Sequence, residues 1–244
     1  MIEITASGIK FSVHSELEAY RVKSIMEKEP ETIEWIKSWN SKSKVFYDVG
    51  ANIGVYGIFA AHLHKNLEVF CFEPEHSNYS SLLQNIILNG FENITPLNIA
   101  LTDRKLLATL YLSDLRVGNS GAQVEKPVNE LGHEFLPLKK ERVLAFSMDE
   151  FVDEFNLPLP NFIKVDVDGQ ETKIINGMKN ILSNENLESI LIEFNNENEI
   201  EEFQPYLNSI GFIRDSRFDN LENHSSLRRV KSGSAARNYI FTRA

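Results

Sequence analysis

The chain has 244 residues, a formal net charge of −10 and one cysteine, Cys71. A lone cysteine excludes a disulfide framework and a cysteine-rich zinc site. The acidic balance argues against a dedicated nucleic-acid binder, whose affinity for phosphate needs a basic surface. A hydrophobic fraction of 42% beside 25% charged residues fits a soluble globular protein. No apolar run is long enough for a membrane span, and the start Met1-Ile2-Glu3-Ile4 has no basic-then-apolar leader. Together these features predict a cytoplasmic protein with no membrane partner; they say nothing of its oligomeric state.

Residues 1–42 read as an N-terminal extension packed on the core, with a strand over 2–13 and then two helices. The second helix opens at Glu29-Pro30-Glu31, where proline suits the first turn and acids suit the positive end of the dipole. Residues 43–244 read as the main domain, in which short apolar runs alternate with amphipathic ones. Strands are predicted at 44–49, 67–72, 94–101, 162–167 and 189–194, and helices at 54–64, 78–88 and 171–182. Near-continuous apolar strands alternating with helices predict an α/β fold, a mostly parallel central sheet with helices on both faces. Residues 103–147 interrupt the alternation and predict a hairpin insertion holding Gly118-Asn119-Ser120-Gly121, followed by a helix at 148–155. The runs 211–214 and 238–241 predict a closing antiparallel pair.

The segment Asp48-Val49-Gly50-Ala51-Asn52-Ile53-Gly54 leaves the first core strand and enters a helix. Parallel sheets bind ligands beyond the carboxyl ends of their strands, and glycines there admit close backbone approach. The helix N-terminus would offer unpaired N–H groups to an anion. A plain tight turn would use the same glycines. The dinucleotide fingerprint fails at Asn52 and Val55, and no Gly-Lys-Ser/Thr ending marks a P-loop. Asp48 instead suits the ammonium of an amino-acid moiety. Glu73, 25 residues later in Phe72-Glu73-Pro74, stands at the tip of the next strand, where an acid can take both hydroxyls of a ribose.

With these motifs the chain resembles S-adenosylmethionine-dependent methyltransferases of the Rossmann-like class I, and among them the FkbM family. The resemblance rests on Glu29-Pro30-Glu31-Thr32, the 48–54 loop, Phe72-Glu73-Pro74, Phe146-Ser147-Met148-Asp149-Glu150, Phe162-Ile163-Lys164-Val165-Asp166-Val167-Asp168-Gly169-Gln170-Glu171 and Leu191-Ile192-Glu193-Phe194. It implies methyl transfer to a hydroxyl of a sugar, glycan or small natural product. It further implies that Asp48, Gly50, Ala51, Asn52, Ile53 and Gly54 hold the methionine end of the cofactor. Glu73 and Pro74 would lie at the ribose, and Asn98 and Ala100 near the adenine. A nucleic-acid methyltransferase and a non-catalytic cofactor-binding module are the rival readings.

An alcohol is a weak nucleophile and needs help to lose its proton. Asp166 is the candidate catalytic group. Asp168 and Glu171 follow closely, so one of the three carboxyls should be raised, although both later acids also suit helix capping. Lys164 is placed to contact Asp166 from the same strand face. A divalent-metal variant would use Asp166, Glu193 and Asn195, oxygen ligands of the kind magnesium takes. His133 is a weak base candidate, while His62 and His64 read as surface residues. Asn119, Ser120 and Gln123 could meet acceptor hydroxyls. Between 211 and 244, Arg214, Arg217, Arg228, Arg229, Lys231, Arg237 and Arg243 face only Asp215, Asp219 and Glu222, a basic stretch suited to a phosphorylated acceptor.

Overall fold

The computed structural model describes residues 2–40, 42, 44–129, 132–221, 223–226 and 236–244. The chain opens with an antiparallel hairpin, β1 (Ile2–Ala6) and β2 (Ile9–Val13). The single strand expected over 2–13 is thus two. Ser7 and Gly8 carry φ of 51° and 78°, the left-handed pair that a tight hairpin turn requires. Three short helices follow where two were expected: α1 (Glu16–Lys23), α2 (Ile25–Lys28) and α3 (Pro30–Lys37). Ser15 and Glu18 form a reciprocal capping box at α1. Glu31 is fully buried and accepts from the Ser225 N–H at 3.1 Å and the Asn238 amide at 2.8 Å. The Glu29-Pro30-Glu31 motif therefore ties the extension to the end of the chain.

The central sheet contains β3 (Val45–Val49), β4 (Glu68–Phe72), β5 (Ile94–Leu97), β10 (Phe162–Val165), β11 (Ser189–Phe194), β12 (Phe212–Arg214) and β13 (Arg237–Arg243). Its order is β12-β13-β11-β10-β3-β4-β5. Strands β11, β10, β3, β4 and β5 run parallel, and β13 is antiparallel to both β11 and β12. The predicted class is therefore observed: a Rossmann-like sheet with an antiparallel C-terminal strand. Pro96 cannot donate to a ladder on both sides, which suits β5 to the edge.

The strand expected over 94–101 breaks in two. The Asn98 amide donates to the carbonyls of Glu73 at 2.9 Å and Pro74 at 3.0 Å, at the point where the chain leaves the sheet edge. Beyond it β6 (Ala100–Thr102) joins β7 (Leu106–Leu112), β8 (Gln123–Val124) and β9 (Lys139–Ser147) in a second sheet of order β6-β9-β7-β8. The predicted hairpin insertion is thus a small sheet with its own apolar core, including Ala108, Leu110, Leu112 and Val143.

Period-two burial on the central strands builds two apolar layers. One holds Tyr47, Val49, Phe72, Ile163, Val165 and Ile192 under α6 (Met148–Phe155), α7 (Glu171–Asn176), α8 (Lys179–Ser183) and α9 (Glu197–Ser209). The other holds Phe46, Val69, Cys71 and Leu191 under α3, α4 (Val55–Leu63) and α5 (His76–Asn89). There Trp39 stacks on Phe162 with centroids 4.1 Å apart. The helix expected over 171–182 is interrupted at Gly177, where a Cβ would lie 2.2 Å from the Thr102 carbonyl. Close approach of the insertion therefore selects glycine and divides the helix. Among the described residues, no helix is long and apolar enough to cross a membrane.

One buried polar side chain breaks the apolar pattern. Lys164, 1% exposed, lies opposite Asp48 in the β10–β3 pairing, and its ammonium is 2.7 Å from Asp166 Oδ2. It also sits 5.2 Å from the centre of the Tyr56 ring. Lys164→Met should cost ~3 kcal/mol in urea unfolding, because it leaves carboxylates buried without their cation. A variant as stable as the parent would mean that the pair contributes nothing to the fold.

Candidate active site

A cavity of about 270 Å³ opens beyond the carboxyl ends of β3, β4 and β10. Of the residues singled out in the sequence, Gly50, Asn52, Glu73, Pro74, Ala100, Asp166, Glu193 and Asn195 line it. Asp48, Ala51, Ile53, Gly54 and Asn98 do not. Asp48 lies on the α4 side, where a Cβ on Gly57 would come within 3.0 Å of its Oδ2. Burial lifts its carboxyl to about 6, against the opposing pull of Lys164. Asp48 is thus buried beside α4, and both its carboxyl oxygens are without a hydrogen-bond partner. Ala51 and Ile53 are buried in the apolar layer, and Gly54 starts α4 against Leu82. Asn98 is spent on two carbonyls, while Ile99, Ala100 and Leu101 form the wall.

The glycine loop owes its shape to a neighbouring loop. Gly50 has φ of 79°, and a Cβ there would lie 1.9 Å from the Asp166 carbonyl, so only glycine fits. The N–H groups expected to await an anion are already in use. Those of Gly50 and Ala51 donate to the Phe72 carbonyl at 3.0 and 3.1 Å. That of Asn52 donates to Glu73 Oε2 at 2.8 Å, that of Ile53 to Asn52 Oδ1 at 3.0 Å, and that of Gly54 to the Ala51 carbonyl at 2.8 Å. The loop is thus internally closed, and an anionic ligand group must find its partner elsewhere. Two cations on the cavity wall, Arg21 and Lys28, come from α1 and α2. Nothing in the sequence marked them, since the fold brings them from far away in the chain.

Glu73 is buried at the cavity edge, its Oε1 accepting from the Glu75 N–H at 2.9 Å. Burial raises its carboxyl to about 7, although the N–H groups of Glu75 and Asn52 pull it down. A carboxylate has about four acceptor positions, so two remain for a ligand.

The loop after β10 carries the other acids. Burial would raise Asp166, but the Lys164 charge, its hydrogen bond and the Lys28 charge together hold the carboxyl below its usual range. The raised groups are Asp168 and Glu171. Burial lifts Asp168, and the neighbouring Asp166 charge adds to it. Glu171 is lifted to about 8 by burial. Neither acid behaves as a simple helix cap. Glu171 turns back to accept from the N–H groups of Val167 at 3.0 Å and Gly169 at 2.9 Å, with the Asn195 amide 3.3 Å away. Asp168, at φ of 57°, accepts the Gly121 N–H at 2.9 Å, and its carbonyl accepts the Gln123 amide at 2.7 Å.

The insertion thereby becomes a wall. Asn119, Ser120, Gly121, Ala122 and Val124 all line the cavity. The Asn119 carbonyl accepts from the side chains of Asn52 at 2.7 Å and Asn78 at 3.0 Å, and Arg21 donates to the Gly118 carbonyl at 2.5 Å. The Asn119 carbonyl and the Gln123 side chain therefore hold this segment, the strap over residues 118–123, in place. Asp166 and Asn195, two of the three metal candidates, are engaged with Lys164 and Glu171. Among the described residues, no group of three or more His, Cys, Asp or Glu side chains is arranged to hold a metal.

His62, His64 and His133 lie off the cavity. Of the C-terminal basic stretch, Arg228, Arg229 and Lys231 fall outside the described residues. Arg214 pairs with Asp219 at 2.6 Å and Arg217 with Asp215 at 2.6 Å. Arg243 donates to the carbonyls of Leu182, Asn184, Leu187 and Ile210. Arg214, Arg217 and Arg243 are thus used within the fold, and no described arginine of this stretch lines the cavity.

The raised acids set a pH dependence. Glu171, Glu73 and Asp48 hold protons more tightly folded than unfolded, so the folded chain binds more protons between about 4.5 and 8. Stability should therefore fall as pH rises through that window. Glu171→Gln copies the shape of the protonated acid and should flatten the fall of Tm in calorimetric scans. A wild-type Tm that climbs across the window would contradict the assignment.

The chain is similar to several known proteins. The FkbM methyltransferase domain model matches residues 48–221. A hexuronic acid methyltransferase, AglP of Haloferax volcanii, is 26% identical over 190 residues, covering 75% of this chain and 70% of the relative. Methyltransferase 1 of Beauveria bassiana is 26% identical over 143 residues, covering 54% of this chain and 57% of the relative. An rRNA methylase structure from Streptococcus thermophilus aligns with a TM-score of 0.49 at 10% identity, covering 88% of this chain and 94% of that one. With the family model spanning most of its length, the chain belongs to the FkbM methyltransferases.

Proposed function

We propose that the protein uses S-adenosylmethionine to methylate a hydroxyl oxygen on a carbohydrate or a related small molecule. The observation that carries this is the preassembled pair of the Asn52 loop and the buried Glu73 carboxylate on one cavity wall, with Asp166 on the other. The lining fits such a cofactor. Glu73 has acceptor positions left for a ribose diol, and Phe72, Ile99, Leu101 and Val124 offer apolar surface to a base. Arg21, which donates to the Gly118 carbonyl, and Lys28, which pairs with Glu29 at 2.8 Å, are the cations on this wall that would face the carboxylate the closed glycine loop leaves unserved. The hexuronic acid specificity named for the Haloferax relative supports a sugar acceptor.

When bound, the cofactor supplies a methyl carbon on a sulfonium: the acceptor O–C bond forms as C–S breaks, and sulfur keeps the electron pair. The protein must align the acceptor oxygen and remove its proton. Asp166 suits both roles, since its carboxylate can orient the acceptor hydroxyl and take up the proton it loses. Its carboxylate is charged and is fixed by Lys164 at 2.7 Å. That charge also favours a cationic group beside it.

Glu73→Ala should weaken binding of S-adenosylhomocysteine at least ~tenfold by calorimetry, about the loss of charge-assisted hydrogen bonds to both hydroxyls. Unchanged affinity would remove Glu73 from the ribose. Asp166→Asn should cut kcat by ~100-fold or more while the cofactor Kd moves far less; a fully active variant would take Asp166 out of the mechanism.

A further inference from the structure

We propose that Glu29 is a positioning residue of the cofactor site: it anchors the Lys28 ammonium on the cavity wall, so that the N-terminal extension completes the pocket for the cofactor's carboxylate. This rests on the methyltransferase reading above. Lys28 ends α2, and Glu29 is the single residue between α2 and α3. Proline disfavours a helical conformation in the residue before it, and Glu29, before Pro30, accordingly has φ of −139° and ψ of 72°. The two adjacent side chains have different surroundings. Lys28 lines the cavity with its side chain 30% exposed, while Glu29 is fully buried.

Glu29 is held from several sides. Its Oε1 accepts from the Lys28 ammonium at 2.8 Å and its Oε2 from the Thr32 hydroxyl at 3.2 Å, and the Tyr56 hydroxyl donates to it as well. The Lys164 charge faces it too. A buried carboxylate is tolerated only among such partners, and they fix its place. Lysine by contrast is a point charge on a flexible four-carbon stem. The cavity acids compete with Glu29 for it, since the Lys28 charge also pulls on the carboxyls of Asp166 and Asp168. Without Glu29 the ammonium would be drawn toward those two acids and away from its present anchor. An ammonium has three donor positions, so pairing with Glu29 is compatible with a ligand carboxylate.

The test is calorimetric titration of the full chain with S-adenosylhomocysteine and with 5′-methylthioadenosine, which keeps the adenosine and lacks the amino-acid end. Glu29→Gln keeps the shape of the side chain and removes its charge. It should weaken S-adenosylhomocysteine about tenfold, as Lys28→Met should, and move 5′-methylthioadenosine by less than about twofold. The double variant should lose no more than Lys28→Met alone, because both changes act on one contact. Unchanged affinity for S-adenosylhomocysteine in either single variant, parallel loss of both ligands, or losses that add in the double variant would overturn the anchoring role. Should Glu29→Gln alone not fold, the double variant, which leaves neither charge of the pair unmatched, is compared with Lys28→Met: equal affinities support the anchor and a weaker double variant overturns it. If the parent binds S-adenosylhomocysteine no tighter than 5′-methylthioadenosine, the carboxylate pocket and its anchor fall while the adenosine site stands. If the parent binds neither, the cofactor reading fails and takes the anchor with it.

Discussion

A buried ammonium organises the catalytic end of this sheet. Lys164 stands in the middle of the central strands, opposite Asp48 and bonded to Asp166. Removing a charge from water is costly, and it is tolerated only where opposite charges and hydrogen bonds surround it. Here Asp166, Asp48 and Glu29 supply the charges, and the Tyr56 ring offers its face. The consequence reaches the cavity wall. Asp166 is kept ionised and in one orientation, and its carbonyl lies so close to Gly50 that no side chain can intervene. The first and fourth parallel strands of the core are thereby locked together at the tips where ligands bind.

A second constraint links the two loops to the insertion. Each loop contains a non-glycine residue in the left-handed region, Asn52 after β3 and Asp168 after β10. Each of these residues also holds the strap through a hydrogen bond, Asn52 to Asn119 and Asp168 to Gly121. Backbone strain and side-chain contact thus coincide at the same two positions. The small sheet formed by the insertion positions that segment as one wall of the cavity.

Much of this was legible before any coordinates. Apolar runs such as 189–194 mark strands because both faces are buried, and β11 occupies that very span. The loop glycines, Glu73 and Asp166 stood out because strand tips are where side chains meet ligands. Other features depended on contacts between distant segments. Asp48 looked like a ligand partner, but period-two alternation turns it to the α4 face. Arg21 and Lys28 reach the cavity from the N-terminal helices, and no local pattern foretells that journey. The hairpin at Ser7-Gly8 had a readable signal, a serine-glycine pair inside an alternating run. Helix α9 had one too, in the Asn196 cap, but Pro205 in its interior obscures the periodicity.

The closed hydrogen bonding of the glycine loop has a consequence for anionic ligands. Proteins that recognise pyrophosphate or triphosphate do so with convergent free amides, and every amide from Gly50 to Gly54 donates within this chain. The cavity walls carry Glu73, Asp166, Asp168 and Glu193 together with Arg21 and Lys28, so the counter-charges for an anionic ligand come from the N-terminal helices and not from the loop. A role that sheets of this kind often give to loop amides is here left to two side chains carried in from α1 and α2.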